Sequence, residues 1–465
     1  MGEKSFLRGI VRCGAVGLLG LFALRVALAG PSIFPTGVTL YDPSRAYNSD
    51  ILFSALNGHT YLIDMNGHVL HAWNLAGSPA RMLNPALTNG VKGDIGVQIL
   101  KARPGTGRGI MSLIPGLPGL EVVRTFGYVD WQGRVIWQWG TQAPQGLALQ
   151  HHDWELLPNG DTLLLSDTVG EIPGFGKRVM LDPTIYEVDS HGRLVWTWKA
   201  SQHLKGLGFV GAKLLLLERE SAPDYLHMNA MQALGPNRWE AAGDRRFEQH
   251  NILISSRNAD FVAIISRQTG RVVWRLGPLY PKYKHLYSPH PQRVPHVIER
   301  FSGQHDVHMI PEGVPGAGDV LMFDNEGEGG YPPVPMPMLS GSRVLEINPV
   351  TRQVVWQYTG TKATFYSPFI GSAQRLPNGN TLIDEGIWGR FIQVTPNGRI
   401  VWEYVSPFAK ILPGFGGQIP ARWVYRIQSV PYDWVPLAGP HSHAPVVPPE
   451  LSRFHVSQQD TGVEP

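Results

Sequence analysis

The 465-residue chain contains one cysteine, Cys13. A single thiol excludes an intramolecular disulfide and any cysteine-built metal site. Charged residues are sparse as well, at 17% against a usual ~25%. The 40 basic and 37 acidic side chains are dispersed, with a net charge of +3 and no long run of either sign. That distribution lacks the basic stripe of a nucleic-acid-binding protein, so no nucleic-acid partner is expected. Beyond the N-terminus no apolar run approaches the ~20 residues that cross a bilayer as a helix. No glycine-rich stretch has the spacing of a phosphate-binding loop; Gly327-Glu328-Gly329-Gly330 comes nearest and fails.

What is abundant is glycine (53), proline (39) and aromatic residues (10%). Glycine and proline together make about a fifth of the chain, against roughly an eighth in average usage. A disordered chain would be charge-rich and aromatic-poor. Collagen would repeat glycine every third residue. The composition instead suits a large, turn-rich, all-β protein.

The N-terminus has the anatomy of a secretory signal. Lys4, Arg8 and Arg12 precede the apolar stretch Cys13–Leu24, and Ala27-Leu28-Ala29 supplies a small-x-small cleavage site. Residues 1–29 are therefore expected to be a signal peptide or membrane anchor. The protein is expected to be exported, periplasmic or extracellular, with membrane attachment through residues 1–29 if the segment is not cleaved. Nothing in the sequence sets an oligomeric state.

An internal repeat decides the expected fold. A glycine-containing turn followed by a β-branched run ending in Trp recurs six times. The copies are Asn66-Gly67 to Trp73, Gln132-Gly133 to Trp137, His191-Gly192 to Trp196, Thr269-Gly270 to Trp274, Thr351-Arg352 to Trp356 and Asn397-Gly398 to Trp402. In the fifth copy Arg352 replaces the glycine. A second apolar run precedes each turn, which reads as a β-hairpin. A further hairpin signal, Leu157-Pro158-Asn159-Gly160, recurs as Leu376-Pro377-Asn378-Gly379 and more loosely as Ile310-Pro311-Glu312-Gly313. Two hairpins make a four-stranded blade, and six blades make an all-β, six-bladed β-propeller. The repeat Trp residues then pack between blades and carry no chemistry. The expected layout is a propeller over residues 30–434 and an irregular tail over 435–465. The Pro-rich stretches Leu279–Pro295 and Gly327–Met338 read as loop insertions.

A second register marks candidate chemistry. His152-Asp153 stands six residues before Pro158, and His305-Asp306 six before Pro311; Gly371-Ser372 holds that place before Pro377. His227-Met228-Asn229, before Ile252-Leu253-Ile254-Ser255-Ser256-Arg257-Asn258, is read as the comparable motif of the third blade. Radial symmetry turns equivalent positions toward one axis, so His152, His227 and His305 are expected to converge at the channel mouth. Three imidazoles suit proton transfer or nucleophilic catalysis near neutral pH. They also suit zinc or another transition metal, and the residues alone leave both open. Asp324-Asn325-Glu326-Gly327-Glu328 reads as a solvated turn rather than a Ca²⁺ loop, and His441-Ser442-His443 as surface.

These motifs, in this order, resemble the bacterial arylsulfotransferases that use no nucleotide sulfate donor. The resemblance runs from about residue 36 to 434. It rests on Gly37-Val38-Thr39-Leu40-Tyr41-Asp42-Pro43, His151-His152-Asp153, His227-Met228-Asn229, Ser255-Ser256-Arg257-Asn258, Gln304-His305-Asp306 and Trp423-Val424-Tyr425-Arg426. It implies a central-channel site that moves a sulfuryl group from a phenolic sulfate to a phenol, by a ping-pong route through a sulfated histidine. It places His305 as nucleophile, His227 and Arg257 on the sulfuryl oxygens, and Asn229 and His152 at further site positions. It implies no cofactor and no metal. An insertion at Gly235–Gln249 separates His227 from Arg257. Two other classes fit the propeller: a non-catalytic ligand- or protein-binding module, and a metal- or quinone-dependent enzyme.

Overall fold

A computed structural model describes residues 35–99, 125–146, 148–278, 293–298, 300–331, 340–361, 364–414, 417–437 and 441–448. The expected signal, residues 1–29, lies outside them, as do most of both Pro-rich insertions. Among the described residues no helix is long and apolar enough to cross a membrane.

Six antiparallel sheets form the six blades. Blade II holds Arg81–Met82, Ile95–Ile99, Thr125–Val129 and Val135–Trp139. Blade III holds Leu149–Leu156, Thr162–Glu171, Val179–Val188 and Leu194–Lys199. Blade IV holds Met228–Ala233, Ile252–Ser256, Phe261–Ile265 and Val272–Leu276. Blade V holds His305–Met309, Val320–Asp324, Ser340–Asn348 and Gln353–Thr361. Blade VI holds Ser372–Arg375, Thr381–Glu385, Arg390–Val394 and Ile400–Val405. Blades V and VI each gain a fifth, outer strand, His296–Val297 and Gly37–Tyr41.

Blade I closes the ring. Its outer three strands, Asp50–Ala55, Thr60–Ile63 and Val69–Trp73, come from the start of the described chain. Its inner strand, Val424–Val430, comes from near the other end and pairs with Asp50–Ala55. The Trp423-Val424-Tyr425-Arg426 motif is therefore the splice that makes the sheet circle continuous.

Each blade buries apolar residues against its neighbour. The Leu165–Ile185 side of blade III packs on Ile252–Ile265 of blade IV. Blade IV meets blade V through Leu253, Trp274, Met322 and Leu345. Phe53, Ile63, Phe391 and Trp402 join blades VI and I. Flat faces stacked in this way hide the core and leave few exposed strand edges.

The Trp repeat has a specific structural job. Each blade's outer-strand Trp donates its Nε1–H to a carbonyl in the hairpin turn of the next blade. The circuit runs Trp73 to Asp130, Trp139 to Gly192, Trp198 to Gly270, Trp274 to Pro349, Trp356 to Pro396 and Trp402 to Met65. In blades II and III the buried donors are Trp139 and Trp198, two residues past the repeat positions Trp137 and Trp196. The turn itself needs a positive φ, and Gly67, Gly133, Gly192, Gly270 and Gly398 lie between +67° and +82°. Arg352 adopts φ +58° at the same position, which costs a non-glycine residue about 1–2 kcal/mol. The chain keeps the turn without its preferred residue because the blade demands it.

The described residues after 435 form no strand but are not detached. Val446 exchanges backbone hydrogen bonds with Tyr41, and Ala444 with the Asn66 side chain. His441, expected at the surface, is half-buried: it stacks on Tyr432 at 3.6 Å and lies 3.3 Å from the Asp50 carboxylate.

Candidate active site

Each inner strand is the first strand of its blade in ring order. His152, His227 and His305 stand at the start of theirs, at the end opposite the glycine turns. Four inner strands break register there: around His151–Asp153, at Asn229, at Asp306–Val307 and at Tyr425–Arg426. These are β-bulges, which re-aim side chains and commonly rim functional sites. His152 (φ +62°), His227 (+47°) and Asp306 (+51°) sit in the left-handed region, where non-glycine residues are uncommon. A straight strand would alternate its side chains between faces; the bulges bring successive ones together.

The insertion before Arg257 does not separate it from His227. Residues 234–251, with a short helix at Arg238–Ala241, leave and rejoin the blade at the turn end, closed by Leu234 N–H to Asn251 O at 2.8 Å. At the histidine end the ladder is intact, and Arg257 N–H donates to His227 O at 3.0 Å. A cavity of about 600 Å³ lies between this insertion and Glu312–Gly318, at the turn end and away from the histidines.

His305 is buried, and its environment fixes its tautomer. Nδ1 faces two acceptors, Gly303 O at 2.9 Å and Asn325 Oδ1 at 2.7 Å. The Asn325 amide is oriented by its own donations to Ser367 O and Ile370 O. Nδ1 therefore carries the hydrogen, and Nε2 keeps a lone pair, met only by a long 3.4 Å approach of Ile370 N–H. Burial, then the nearby Arg257 charge, hold the His305 pKa well below the ordinary histidine value. The neutral ring is favoured, with the Nε2 lone pair unprotonated. Asp306 does not serve His305: its carboxylate accepts Ala373 N–H and lies 2.9 Å from Arg426 Nε.

His152 and His227 meet directly, Nε2 to Nε2 at 2.9 Å. One of them must donate and the other accept. His227 Nδ1 is 2.5 Å from Asp224 Oδ2. Burial opposes charge on Asp224, but His227, His151 and Arg257 together outweigh it and hold that carboxylate below its ordinary range. His152 stacks on Tyr425 at 4.9 Å with the planes 8° apart, and His305 meets the same ring edge-on at 6.1 Å. Burial, then the neighbouring His151, push the His152 pKa well below its usual value. Arg257 lies in the same buried shell; burial lowers its pKa and Asp224 opposes the shift. Its Nη1 donates to Asn258 Oδ1 at 2.7 Å.

Asn229 is placed differently from a free substrate donor. It is fully buried, and Nδ2 donates to Gln304 O at 2.6 Å. Its backbone carbonyl accepts from Tyr425 Oη at 3.1 Å and from Arg426 at 3.4 Å. Asn229 thus ties blade IV to blades V and I.

Several residues around the site carry no signal in the sequence alone. Asn325 belongs to the stretch expected to be a solvated turn; instead Asp324 and Asn325 are fully buried, Asp324 pairing with Arg343 at 2.7 Å. The Asp224-x-x-His227 spacing was the available clue for Asp224. Arg426 and Asp153 form a clasp: Arg426 Nη1 lies 3.1 Å from Asp153 Oδ2, and Arg81 Nη2 reaches Oδ1 at 2.6 Å. Asp153 Oδ2 also accepts Met231 N–H at 2.9 Å. Across the ring, Arg426 thereby bridges blades I, III and V.

The class defined here is a six-bladed propeller with a buried imidazole held at Nδ1, a buried arginine and a hydrogen-bonded histidine pair at one end of the inner strands. The sequence model of the Arylsulfotransferase (ASST) family matches residues 46–406. The chain belongs to that family, which supports aryl sulfotransferase activity in general terms. No curated protein sequence matches significantly. Among solved structures, a protein of unknown function from Bacteroides caccae is 10% identical at a TM-score of 0.44, over 82% of this chain and 98% of that one. Hydrazine synthase of Kuenenia stuttgartiensis is 10% identical at 0.38, over 76% and 80%. Virginiamycin B lyase from Staphylococcus aureus is 11% identical at 0.32, over 76% and 88%. At these scores the likenesses bear on neither site nor activity.

Proposed function

We propose that the protein moves a sulfuryl group from a phenolic sulfate ester to a phenol by a ping-pong route through His305. The observation that carries this is the locked tautomer: Nδ1–H is held by Gly303 O and Asn325 Oδ1, leaving the Nε2 lone pair for attack. In the first half-reaction Nε2 attacks sulfur, an N–S bond forms, the S–O(aryl) bond breaks and the phenolate departs. A phenolate is a good leaving group and needs little acid help. In the second half the acceptor phenol gives its proton to the His152–His227 pair. Its oxygen attacks sulfur, the N–S bond breaks and the lone pair returns to Nε2.

Arg257 supplies a permanent cation for the charge spread over the sulfuryl oxygens. His227, oriented by Asp224, supplies an N–H or a base according to which nitrogen holds the shared hydrogen. No step calls for a cofactor. The signal anatomy of residues 1–29 supports an exported location.

The test is intact-protein mass after brief exposure to a chromogenic aryl sulfate. The expected gain is ~80 Da, one sulfuryl group, absent in His305→Ala. A protein that neither gains mass nor releases phenol from several aryl sulfates would overturn the proposal.

A further inference from the structure

The family reading uses His152, His227 and His305 but leaves His151 and the buried Asp167 carboxylate without a task. His151 packs against His152 at 3.8 Å between ring centroids and meets His227 edge-on at 4.8 Å. One nitrogen from each of His151, His152 and His227 can be chosen so that all three lie within 4.8 Å of one another. We propose that these three imidazoles form a binding site for a borderline transition-metal ion such as Zn²⁺, and that the bound ion shuts the site off.

Three observations carry this. The first is spacing. A tetrahedral ion at ~2.0–2.1 Å from its nitrogens holds them ~3.4 Å apart. The His152–His227 pair is at 2.9 Å and the triad spans no more than 4.8 Å, so modest ring rotations close the site. The second is the outer shell. His227 Nδ1 is held by Asp224 at 2.5 Å, and His151 Nδ1 lies 3.5 Å from Asp167 Oδ2. A carboxylate behind the non-ligating nitrogen is the usual support of a metal-bound histidine, fixing its tautomer and orientation. The third is access. The His151 and His227 side chains keep 23% and 21% of their surface exposed, so an ion arriving along the channel can reach them. The fourth coordination position is left to water.

Inhibition follows from the lone pairs. Coordination occupies the nitrogens of His152 and His227 that the second half-reaction uses to take the phenol's proton, and puts a dication beside His305. The inhibitory part rests on the sulfuryl-transfer reading; the binding part does not. His305 is not one of the three clustered imidazoles.

The experiment is calorimetric titration of the chelator-treated full-length protein with Zn²⁺, run beside aryl sulfate turnover. The expected result is one ion per chain, turnover falling with the bound fraction, and recovery when chelator is added. His151→Gln should keep its turnover and weaken Zn²⁺ at least ~10-fold, while Asp224→Asn should weaken it about 10–100-fold. Co²⁺ gives a readout that needs no variant, since tetrahedral nitrogen ligation produces a strong visible d–d band. Absence of both a bound ion and that band overturns the site. So does equal Zn²⁺ affinity in wild type and folded His151→Gln. An enzyme that is inactive after chelation and restored by Zn²⁺ overturns inhibition and makes the ion part of catalysis. If no sulfuryl transfer is found at all, the calorimetric and cobalt results still decide the metal site, and the mass adduct decides the reaction.

Discussion

Replacing Arg426 with Met tests whether the ring closure and the site are one structure. The Arg426 side chain is 6% exposed and its partner Asp153 2%. It lies 3.1 Å from Asp153 Oδ2 and 2.9 Å from Asp306 Oδ1. Met fills similar volume, so the loss is chiefly the charge. Arg81 still reaches Asp153, whereas the Asp306 carboxylate is left with Ala373 N–H. Removing one member of a buried ion pair costs about 3–5 kcal/mol, because the other is left uncompensated. Taking roughly 2.1 cal/mol/K per residue over about 400 residues gives a melting entropy near 0.8 kcal/mol/K, so the expected fall in Tm is about 4–6 °C.

The deficit should depend on pH with a definite sign. Burial opposes ionisation of Asp153, but Arg426 and Arg81 outweigh it, and the folded pKa lies below the ordinary value. Its contribution to stability is present above the unfolded pKa and is lost only as pH falls through the folded one. Without Arg426 burial is less compensated and the folded pKa rises, so acid now relieves the variant. The deficit is therefore greatest at pH 7 and shrinks toward pH 4. Thermal unfolding followed by tryptophan fluorescence at both pH values measures it. Arg134→Met is the control, an exposed partner of Asp130 whose loss should change stability by less than ~1 kcal/mol. An Arg426→Met deficit as small as the control's, or one unchanged between pH 7 and pH 4, would refute the clasp.

The remaining predictions follow from the same geometry. Asn325→Leu removes an acceptor from His305 Nδ1 and both donors that hold the Ser367 and Ile370 carbonyls; kcat should drop about 100-fold with little change in KM. Separate determination of the two constants checks it, and an unchanged kcat removes Asn325 as a positioning residue. Because burial depresses the His305 pKa, the acid limb of kcat/KM should fall below the ordinary histidine value of ~6.5; a limb at or above that value contradicts a neutral buried nucleophile. Trp402→Phe leaves Met65 O without its donor inside a fully buried contact and should cost about 1–3 kcal/mol, whereas Trp137→Phe at the half-exposed repeat position should cost much less by chemical denaturation.

Much of the fold is legible in the chain because it is written locally and repeated. A turn that needs positive φ favours glycine, and a strand that packs on its neighbour favours β-branched residues and Trp. Six copies of that pattern determine six blades even where Arg352 stands in the glycine's place. The same local logic picks out His152, His227 and His305 by their register. Local patterns could not show which buried Trp closes each contact in blades II and III, since Trp137 and Trp139 share one strand face.

Long-range contact decided the rest. Asp324-Asn325 looks like a polar turn by composition, and only the fold buries it and aims Asn325 at His305. Eighteen residues between the first two strands of blade IV look like a break in the site, yet an antiparallel ladder fixes register at one end whatever length is looped out at the other. Arg426 lies 273 residues from Asp153, and no periodicity links them. A radial fold brings one position from each blade to a common axis, so the sequence determines which residues are candidates. Only closure of the ring decides which pair, which donate and which remain free to react.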